Sequence, residues 1–487
     1  MKNIYANKSN PLTERFLILA LLILVAGTQA QTTFQKVYLT GADRSAKSVL
    51  PTDDGGYMIA GSTTTNIVND LDIYMLKTND KGDTIVSKKY GGKKPDFING
   101  MTKTSDGDFF IIGYTQSFSS GDFNIYLLKL DNNADTIWTR TYGGFGYDEG
   151  KEIIPTSDGN YVIVATSNSL NYSNYNVELI KINPAGDMIW TKQYGGNNYD
   201  SGHSVKECPD GSLIVAGKTA STAQSVSSIL LLKTNANGDS TWAKTYSGPD
   251  SYEGKFILAN NDGSFTLCSD DSSGARDSDI KVMKLDGAGG ILWEKIYGGT
   301  MKDIGKMIQP TSDGGYIVAG ITRSFGLVNP DMWLLKLDAA GDTTWARRYG
   351  SSGHEHCYAA LETGDGGYIA IGHTKANFVN TEIMFLKLNS QGKLGPLAVE
   401  EFASAIRLSI YPNPTIDGTT KINWENTYGS DPESSLTVSD MQGRKIFSEK
   451  LTNSNIVQLD LKEEKPGIYL VTVQGASYSS SQRLVIQ

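Results

Sequence analysis

The chain has 487 residues, which is enough for two or three domains. Its formal net charge of −9 argues against nucleic acid or anionic lipid as partners, because an acidic surface repels phosphate groups. Its three cysteines, Cys208, Cys268 and Cys357, are odd in number and have no paired spacing, which argues against a disulfide framework and predicts buried thiols.

The first 30 residues have the pattern of a secretory signal peptide. Lys2, Lys8 and Arg15 form a basic region, and an apolar run extends from Phe16 to Gly27. This run is too short to span a bilayer comfortably, and small residues at positions 28 and 30 suit cleavage. No later segment has the apolar length of a membrane span, so we expect residues 1–30 to be removed and the mature chain to be exported without a transmembrane segment.

A repeat fills most of the remaining chain. Asp-Gly pairs start at Asp54, Asp106, Asp158, Asp210, Asp262, Asp313 and Asp365, at intervals of 51 or 52 residues. A tyrosine recurs in step at Tyr38, Tyr90, Tyr142, Tyr194, Tyr246, Tyr297 and Tyr349. Each unit contains four short segments with strand character between tight turns, and no segment has a helical period. Four antiparallel strands per repeat are typical of a β-propeller blade.

The two ends of the repeat array complement each other. The seventh unit stops after its third strand, and the missing fourth-strand sequence stands at residues 32–38. In a ring, that N-terminal segment pairs with the strand from Ile383 to Leu388 and leaves no open edge. The sequence therefore predicts an all-β fold in which residues 31–396 form a seven-bladed β-propeller, closed by its N-terminal strand. One large residue per unit at each of two strand positions is expected to pack neighbouring blades together.

The repeat ends before residue 404, and residues 397–403 are expected to be a linker. Seven short alternating segments in residues 404–487 predict a small immunoglobulin-like β-sandwich. Its motifs are Tyr411-Pro412-Asn413-Pro414, then Gly443 within Asp440–Arg444, then Gly467 and Tyr469 within Pro466–Val471, and finally Arg483–Gln487. In this order and place they resemble the type A C-terminal sorting domain of the type IX secretion system. The resemblance implies transport by that machinery and then release or surface attachment. The alternative is an ordinary immunoglobulin-like module.

One face of the propeller is the predicted binding surface. An acidic residue six places after the repeated tyrosine occurs in five units, as Asp96, Asp148, Asp200, Asp303 and Glu355. The variable loops between second and third strands carry Phe118, Tyr172, Tyr175 and Phe325. Both sets belong to the same face, and propellers usually bind through such loops. The alternative for the acids is that each one caps its own loop through backbone hydrogen bonds.

A catalytic constellation is not evident in the sequence. His354-Glu355-His356-Cys357 is the only dense group of metal-donor residue types, but adjacent residues on an extended segment point to opposite faces. We therefore interpret it as structural or incidental, with metal binding as the alternative, and no cofactor is predicted. The chain is expected to be a secreted or cell-surface binding or adhesion protein for a glycan or protein. An extracellular carbohydrate-active enzyme and a structural scaffold stay open as alternatives.

Overall fold

The computed structural model describes residues 32–38, 43–64, 71–169, 174–222, 226–248, 252–271, 278–325, 329–351, 353–375, 380–395, 406–416, 418–426, 435–440, 444–451, 456–474 and 479–487. The proposed signal peptide and linker lie outside these residues. The chain divides into two compact units between Pro396 and Leu397. Every regular element in the described residues is a β-strand, and this part of the chain contains no helix with the length and apolarity of a membrane span.

Within the described residues, the first unit contains seven antiparallel four-stranded sheets, the arrangement of a β-propeller. The sheets are numbered in chain order. The first contains β2 (Arg44–Pro51), β3 (Tyr57–Thr64), β4 (Leu71–Thr78) and β5 (Thr84–Tyr90); the second contains β6 (Asp96–Lys103), β7 (Phe109–Thr115), β8 (Asn124–Leu130) and β9 (Thr136–Tyr142); the third contains β10 (Asp148–Pro155), β11 (Tyr161–Ser167), β12 (Asn176–Ile182) and β13 (Met188–Tyr194). The fourth contains β14 (Asp200–Glu207), β15 (Leu213–Thr219), β16 (Ser228–Thr234) and β17 (Ser240–Tyr246); the fifth contains β18 (Gly254–Ala259), β19 (Phe265–Asp271), β20 (Asp279–Leu285) and β21 (Ile291–Tyr297). The sixth contains β22 (Asp303–Pro310), β23 (Tyr316–Thr322), β24 (Asp331–Leu337) and β25 (Thr343–Tyr349); the seventh contains β26 (Glu355–Glu362), β27 (Tyr368–Thr374), β28 (Glu382–Leu388) and β1 (Phe34–Tyr38).

The recurring Asp-Gly pairs form the turns between the first and second strands of each sheet. In the first sheet, Gly55 has a φ of 84°, a left-handed conformation that favours glycine over residues with a Cβ. The neighbouring Asp54 pairs with Lys77 of β4 at 2.7 Å, and Lys77 is otherwise buried in the sheet. The turn therefore supplies the carboxylate that neutralises a lysine inside the blade. The same pair recurs in five other sheets, as Lys129–Asp106, Lys181–Asp158, Lys233–Asp210, Lys336–Asp313 and Lys387–Asp365.

Large side chains join neighbouring sheets, as the sequence predicts. The ring of Trp345 in the sixth sheet packs edge-on against Tyr368 in the seventh, with centroids 5.4 Å apart. The repeated tyrosine adds a hydrogen bond to the next sheet, where the Tyr142 hydroxyl donates to the carbonyl oxygen of Gly186 at 2.7 Å. Each of the seven tyrosines bonds in this way to the turn between the third and fourth strands of the next sheet.

The N-terminal strand completes the seventh sheet. Antiparallel pairing places Phe34 of β1 opposite Lys387 of β28, so the predicted pairing of these segments is confirmed. The Phe34 and Phe385 rings lie 5.1 Å apart, and Phe385 lies 5.1 Å from Tyr57 of the first sheet. The first and seventh sheets consequently share one hydrophobic core.

The second unit is a smaller β-domain made of two sheets. One contains β29 (Ile406–Tyr411), β30 (Thr419–Asn426) and β33 (Ile456–Asp460). The other contains β31 (Ser435–Asp440), β32 (Lys445–Lys450), β34 (Gly467–Gln474) and β35 (Ser479–Ile486). Ile422 of the first sheet and Val471 of the second belong to the same buried cluster, so the two sheets enclose one core in the manner of a β-sandwich.

Candidate binding surface and inner cavity

The five recurring acids are fully enclosed at the start of the first strand of their sheets. Asp148 shows the pattern: its carboxylate accepts the backbone N–H of Gly144 at 2.9 Å and the hydroxyls of Ser167 and Ser169 at 2.5 Å each. These bonds join the loop before β10 to the end of β11 and the loop that follows it. A buried carboxylate whose oxygens are occupied in this way orders its loop and has no surface to offer a ligand.

The other four acids make similar bonds, although Oδ1 of Asp200 has no hydrogen-bond partner in the described part of the chain. Asp96 accepts from Gly92 N and Ser117 Oγ, Asp200 from Gly196 N and Ser221 Oγ, Asp303 from Gly299 N and Ser324 Oγ, and Glu355 from Ser351 N and Oγ and Thr374 Oγ1. The serine partner stands 21 residues after each aspartate, and that recurrence is the sequence signal that identifies the cap. In this structure the acids are loop caps, which is the alternative stated for them.

The three described loop aromatics, Phe118, Tyr175 and Phe325, do not form one group. Phe118 and Phe325 are about half exposed, at 49% and 51%, and their rings contact Tyr126 and Trp333 of their own sheets. Tyr172 lies outside the described residues. Tyr175 is half-buried and contacts further rings in neighbouring sheets, so among the three described loop aromatics it is the one that leads to a larger aromatic surface.

That surface is a contiguous series of rings, here called the aromatic arc. It contains Phe97, Tyr114, Phe123, Tyr147, Tyr175 and Tyr199. Successive ring centroids lie 4.5 to 5.8 Å apart, which is the range of favourable aromatic pairs. The rings are partly exposed, and Tyr199 is 45% exposed. The arc crosses the second, third and fourth sheets along the edge where their first strands begin.

Backbone hydrogen bonds between sheets hold the arc in place. The N–H of Asp148 donates to the carbonyl of Phe123 at 2.8 Å, and the N–H of Asp200 donates to the carbonyl of Tyr175 at 2.9 Å. The capping acids therefore fix the aromatic residues beside them. Apart from Tyr175, sequence reasoning missed the arc. Its members are not repeated in every unit, and the available signal is an aromatic residue directly beside a capping acid, as at Tyr147 and Tyr199.

A cavity of about 570 Å³ lies between the seven sheets and is lined by the first strand of every one. One residue per sheet stands at a β-bulge in that strand and faces the cavity. These residues, here called the bulge ring, are Lys47, Asn99, Lys151, His203, Lys255, Lys306 and Tyr358. A bulge adds one residue to a strand and redirects its side chain, so the repeat provides seven positions aimed at one space.

The bulge ring is rich in positive charge. Lys151 pairs with Glu149 at 2.6 Å and Lys255 with Glu253 at 2.5 Å. Lys47 lies 3.9 Å above the ring of Tyr358. Burial lowers the pKa of Lys47 to about 8, and repulsion from other lysines of the ring adds to the effect.

The histidines of this region add little charge. Burial lowers the pKa of His203 to about 4, so its imidazole is neutral at pH 7. His356 packs against His373 with ring centroids 4.6 Å apart, while Glu355 caps its loop and Cys357 is buried. The residues of the 354–357 segment therefore do not converge on one point. Among the described residues, no three His, Cys, Asp or Glu side chains are grouped to hold a metal ion.

In the second unit, two of the predicted sorting motifs contact the last strand, through Asn413 and through the pairing of Gly467 with Ile486 and of Tyr469 with Leu484. The side chain of Asn413 donates to the carbonyl of Arg483 at 2.6 Å and accepts the N–H of Val485 at 2.9 Å. Gly467 begins β34, and the buried Tyr469 donates its hydroxyl proton to the carbonyl of Lys465 at 2.6 Å. Within the Tyr411–Pro414 motif, Tyr411, Pro412 and Pro414 are exposed, and Gly443 lies outside the described residues.

Comparison with known proteins identifies a family for the second unit and only remote structural neighbours for the chain as a whole. No curated protein matches the chain significantly. Among solved structures, the extracellular domain of a protein described as a hybrid two-component system from B. thetaiotaomicron aligns with a TM-score of 0.42 and 8% identity over 94% of this chain, which spans 58% of that one. The β-propeller domain of the Trilobed protease from Pyrococcus furiosus aligns with a TM-score of 0.43 and 8% identity, over 73% of this chain and 98% of that one.

At 8% identity and TM-scores below 0.5, these structures do not identify a ligand or an activity for this chain. The family described as secretion system C-terminal sorting domain, in contrast, matches residues 409–487. These residues include the Asn413 contact with the last strand and the core of the second unit. Residues 409–487 are therefore a C-terminal sorting domain, and the protein is exported by the type IX secretion system to the cell surface or the medium.

Proposed function

We propose that the first unit is a closed seven-bladed β-propeller that acts as an exported binding module. Two features support closure of the ring. The tyrosine hydrogen bonds continue from the seventh sheet to the first, where the Tyr38 hydroxyl donates to the carbonyl of Gly82 at 2.7 Å. The inner cavity is also lined by all seven first strands. On this proposal residues 1–30 are the signal peptide, 31–396 the propeller, 397–403 the linker and 404–487 the sorting domain with its immunoglobulin-like sandwich.

The aromatic arc is the proposed binding site, and a saccharide is the proposed ligand. Six partly exposed rings in series are the observation that carries this proposal. A tyrosine ring presents an apolar face that packs against the C–H face of a sugar and a hydroxyl that hydrogen bonds to its polar groups. The rings are also pre-ordered by the capping acids, which reduces the entropy lost on binding. Phe118 and Tyr172 belong by sequence to units that carry the arc and are candidates for peripheral contacts, whereas Phe325 belongs to the sixth unit, outside the arc.

The test is saccharide binding by the mature exported protein and two variants. We expect Tyr175→Ala with Tyr199→Ala to weaken binding at least thirtyfold, because truncation of an aromatic anchor costs about 2 kcal/mol or more. Phe325→Ala is the control, because it removes a ring outside the arc that is 51% exposed, compared with 45% for Tyr199. Binding that both variants retain, or that only Phe325→Ala weakens, contradicts the arc as the site.

A saccharide array, a protein array and a polysaccharide activity screen, each with the mature exported protein, distinguish the other functions. If the protein binds on the protein array but not on the saccharide array, its ligand is a protein. Cleavage of a polysaccharide in an activity screen favours the enzyme alternative, which needs paired carboxylates about 5–10 Å apart. A protein that binds nothing on either array and cleaves nothing is a structural scaffold.

A further inference from the structure

We propose that the inner cavity is an anion site, in which Lys47, Lys151 and Lys306 hold the carboxylate, sulfate or phosphate group of an acidic saccharide whose neutral part stacks on the aromatic arc. The inference rests on the proposed function for the saccharide, whereas the anion site itself rests on the cavity.

Geometry is the first argument. The bulge ring places the three lysines at one level of the first strands, around a space of about 570 Å³. Cavities of about 300–1,000 Å³ are typical of sites for small ligands. Each lysine stands at a β-bulge, a feature that re-aims a side chain, so the fold itself directs these groups inward.

The balance of charge in the cavity is the second argument. Three lining lysines have carboxylate partners: Lys206 contacts Glu152, Lys255 contacts Glu253 and Lys151 contacts Glu149. Lys47 and Lys306 instead face the ring of Tyr358, at 3.9 and 6.0 Å. Within the described part of the chain, neither has a carboxylate at salt-bridge distance. The cavity therefore contains two ammonium groups without a carboxylate at salt-bridge distance, although the overall charge of the chain is negative. More distant carboxylates offset part of their charge, Glu149 for Lys47, and Asp270 and Glu253 for Lys306.

Repulsion between lysines is consistent with an excess of positive charge in the cavity. The pKa of Lys47 is lowered by burial and then by Lys306 and Lys151, while Glu149 opposes this effect. Burial also lowers the pKa of Lys306, and Lys255 adds to this effect, while Asp270 and Glu253 oppose it. A bound anion would reverse the sign of this interaction, because opposite charges at short range in a partly desolvated site attract strongly.

The third argument is continuity with the aromatic arc. The hydroxyl of Tyr147, a member of the arc, donates to Glu149 at 3.0 Å. The other carboxylate oxygen of Glu149 accepts from Asn99 at 3.0 Å and pairs with Lys151 at 2.6 Å. Glu149 therefore connects the arc to the bulge ring. Phe97 of the arc also lies two residues before Asn99 of the bulge ring on the same strand. We therefore expect a saccharide bound on the arc to direct its charged substituent toward the lysines.

Isothermal titration of the exported protein at low ionic strength tests the site, with sodium sulfate, a uronic-acid oligosaccharide and a neutral oligosaccharide of the same length as probes. The variant is Lys47→Gln with Lys306→Gln. The matched control is Lys88→Gln with Lys192→Gln, which removes the same charge from outer strands where both lysines pair with exposed aspartates. We expect the cavity variant to lose at least tenfold in affinity for sulfate and for the acidic oligosaccharide, and the control and the neutral probe to change less than twofold.

The outcomes separate this inference from the proposed function. No sulfate binding, or an equal loss in both double variants, overturns the anion site. A neutral oligosaccharide bound as tightly as the acidic one, with no effect of the cavity variant, overturns it while the arc proposal stands. Sulfate bound without any saccharide supports the cavity site, identifies a free inorganic anion as its ligand and overturns the saccharide proposal. Unchanged melting of the cavity variant shows that any loss of affinity is not a loss of fold.

Discussion

Replacement of Phe34 by alanine tests whether the N-terminal strand closes the seven sheets into a ring. Phe34 is buried and packs against Phe385, which in turn contacts Tyr57 of the first sheet. Phe→Ala in a packed core costs about 3–5 kcal/mol, from lost burial and the cavity left behind. An unfolding entropy of about 2.1 cal/mol/K per residue over roughly 360 residues is about 0.8 kcal/mol/K, so Tm is expected to fall by roughly 4–6 °C.

Differential scanning calorimetry of the exported protein measures this shift. Val37→Ala is the matched control, because Val37 lies on the same strand with 37% of its surface exposed. It is expected to lower Tm by about 1 °C or less, since a surface substitution changes stability by about 0.5 kcal/mol. The ring interpretation predicts one cooperative transition that Phe34→Ala shifts as a whole. Equal effects of the two variants, or a small early transition confined to the N-terminal strand, would refute the reasoning.

Four further predictions follow from the remaining contacts. Asp148→Ala leaves a backbone N–H and two hydroxyls without their acceptor, and urea denaturation should show a loss of about 2–3 kcal/mol. The hydrogen bond from Lys77 lowers the pKa of Asp54 to about 2, below its value of about 3.9 in the unfolded chain. The ionised Asp54 therefore stabilises the fold above pH 4, and thermal melts should show that this contribution is lost as the pH falls through 2. Asn413→Ala removes two bonds to the last strand and should reduce surface display in fractionated cells. Truncation after Gly395 should leave the protein in the periplasm, absent from the surface and the medium.

Each of these predictions has a result that contradicts it. An Asp148→Ala protein as stable as the parent would mean that the loop does not need its cap. If Tm falls identically with decreasing pH in the parent and in Asp54→Asn, the Asp54–Lys77 pair is not a source of the pH dependence. Normal surface display of the Asn413→Ala protein would show that export does not need the contact of Asn413 with the last strand. Normal display of the truncated chain would show that export does not depend on residues 409–487.

The fold was largely predictable because each repeat carries the same local chemistry. Asp-Gly turns, a buried lysine and a tyrosine at fixed spacing specify one four-stranded unit, and seven copies specify seven sheets. The pairing of residues 32–38 with the last strand followed from the incomplete seventh unit. The link between Asp54 and Lys77 was not apparent, because the two residues are 23 positions apart and meet only when β4 lies beside the hairpin of β2 and β3.

The candidate site was less predictable for the opposite reason. The recurrence of Asp148 and its equivalents favoured them as binding residues, yet a polar residue that repeats in most units stabilises a loop of each unit. The aromatic arc is confined to the second, third and fourth sheets, and its members follow no single repeat position. Only the packing of three sheets side by side brings Phe97 and Tyr199 into one series of rings.

The bulge ring shows how one repeated strand can provide both a stable blade and a variable side chain in the cavity. The bulge itself is structural and is present in all seven first strands, so its backbone geometry does not depend on the side chain it carries. Because that side chain faces the cavity and not the hydrophobic contacts between sheets, Lys47, His203 and Tyr358 can occupy equivalent places without altering the blade. A substitution here changes the charge of the cavity and leaves the packing of the sheets intact. Selection on a ligand would therefore act on this position, whereas selection on stability acts on the recurring turns, caps and aromatic contacts around it.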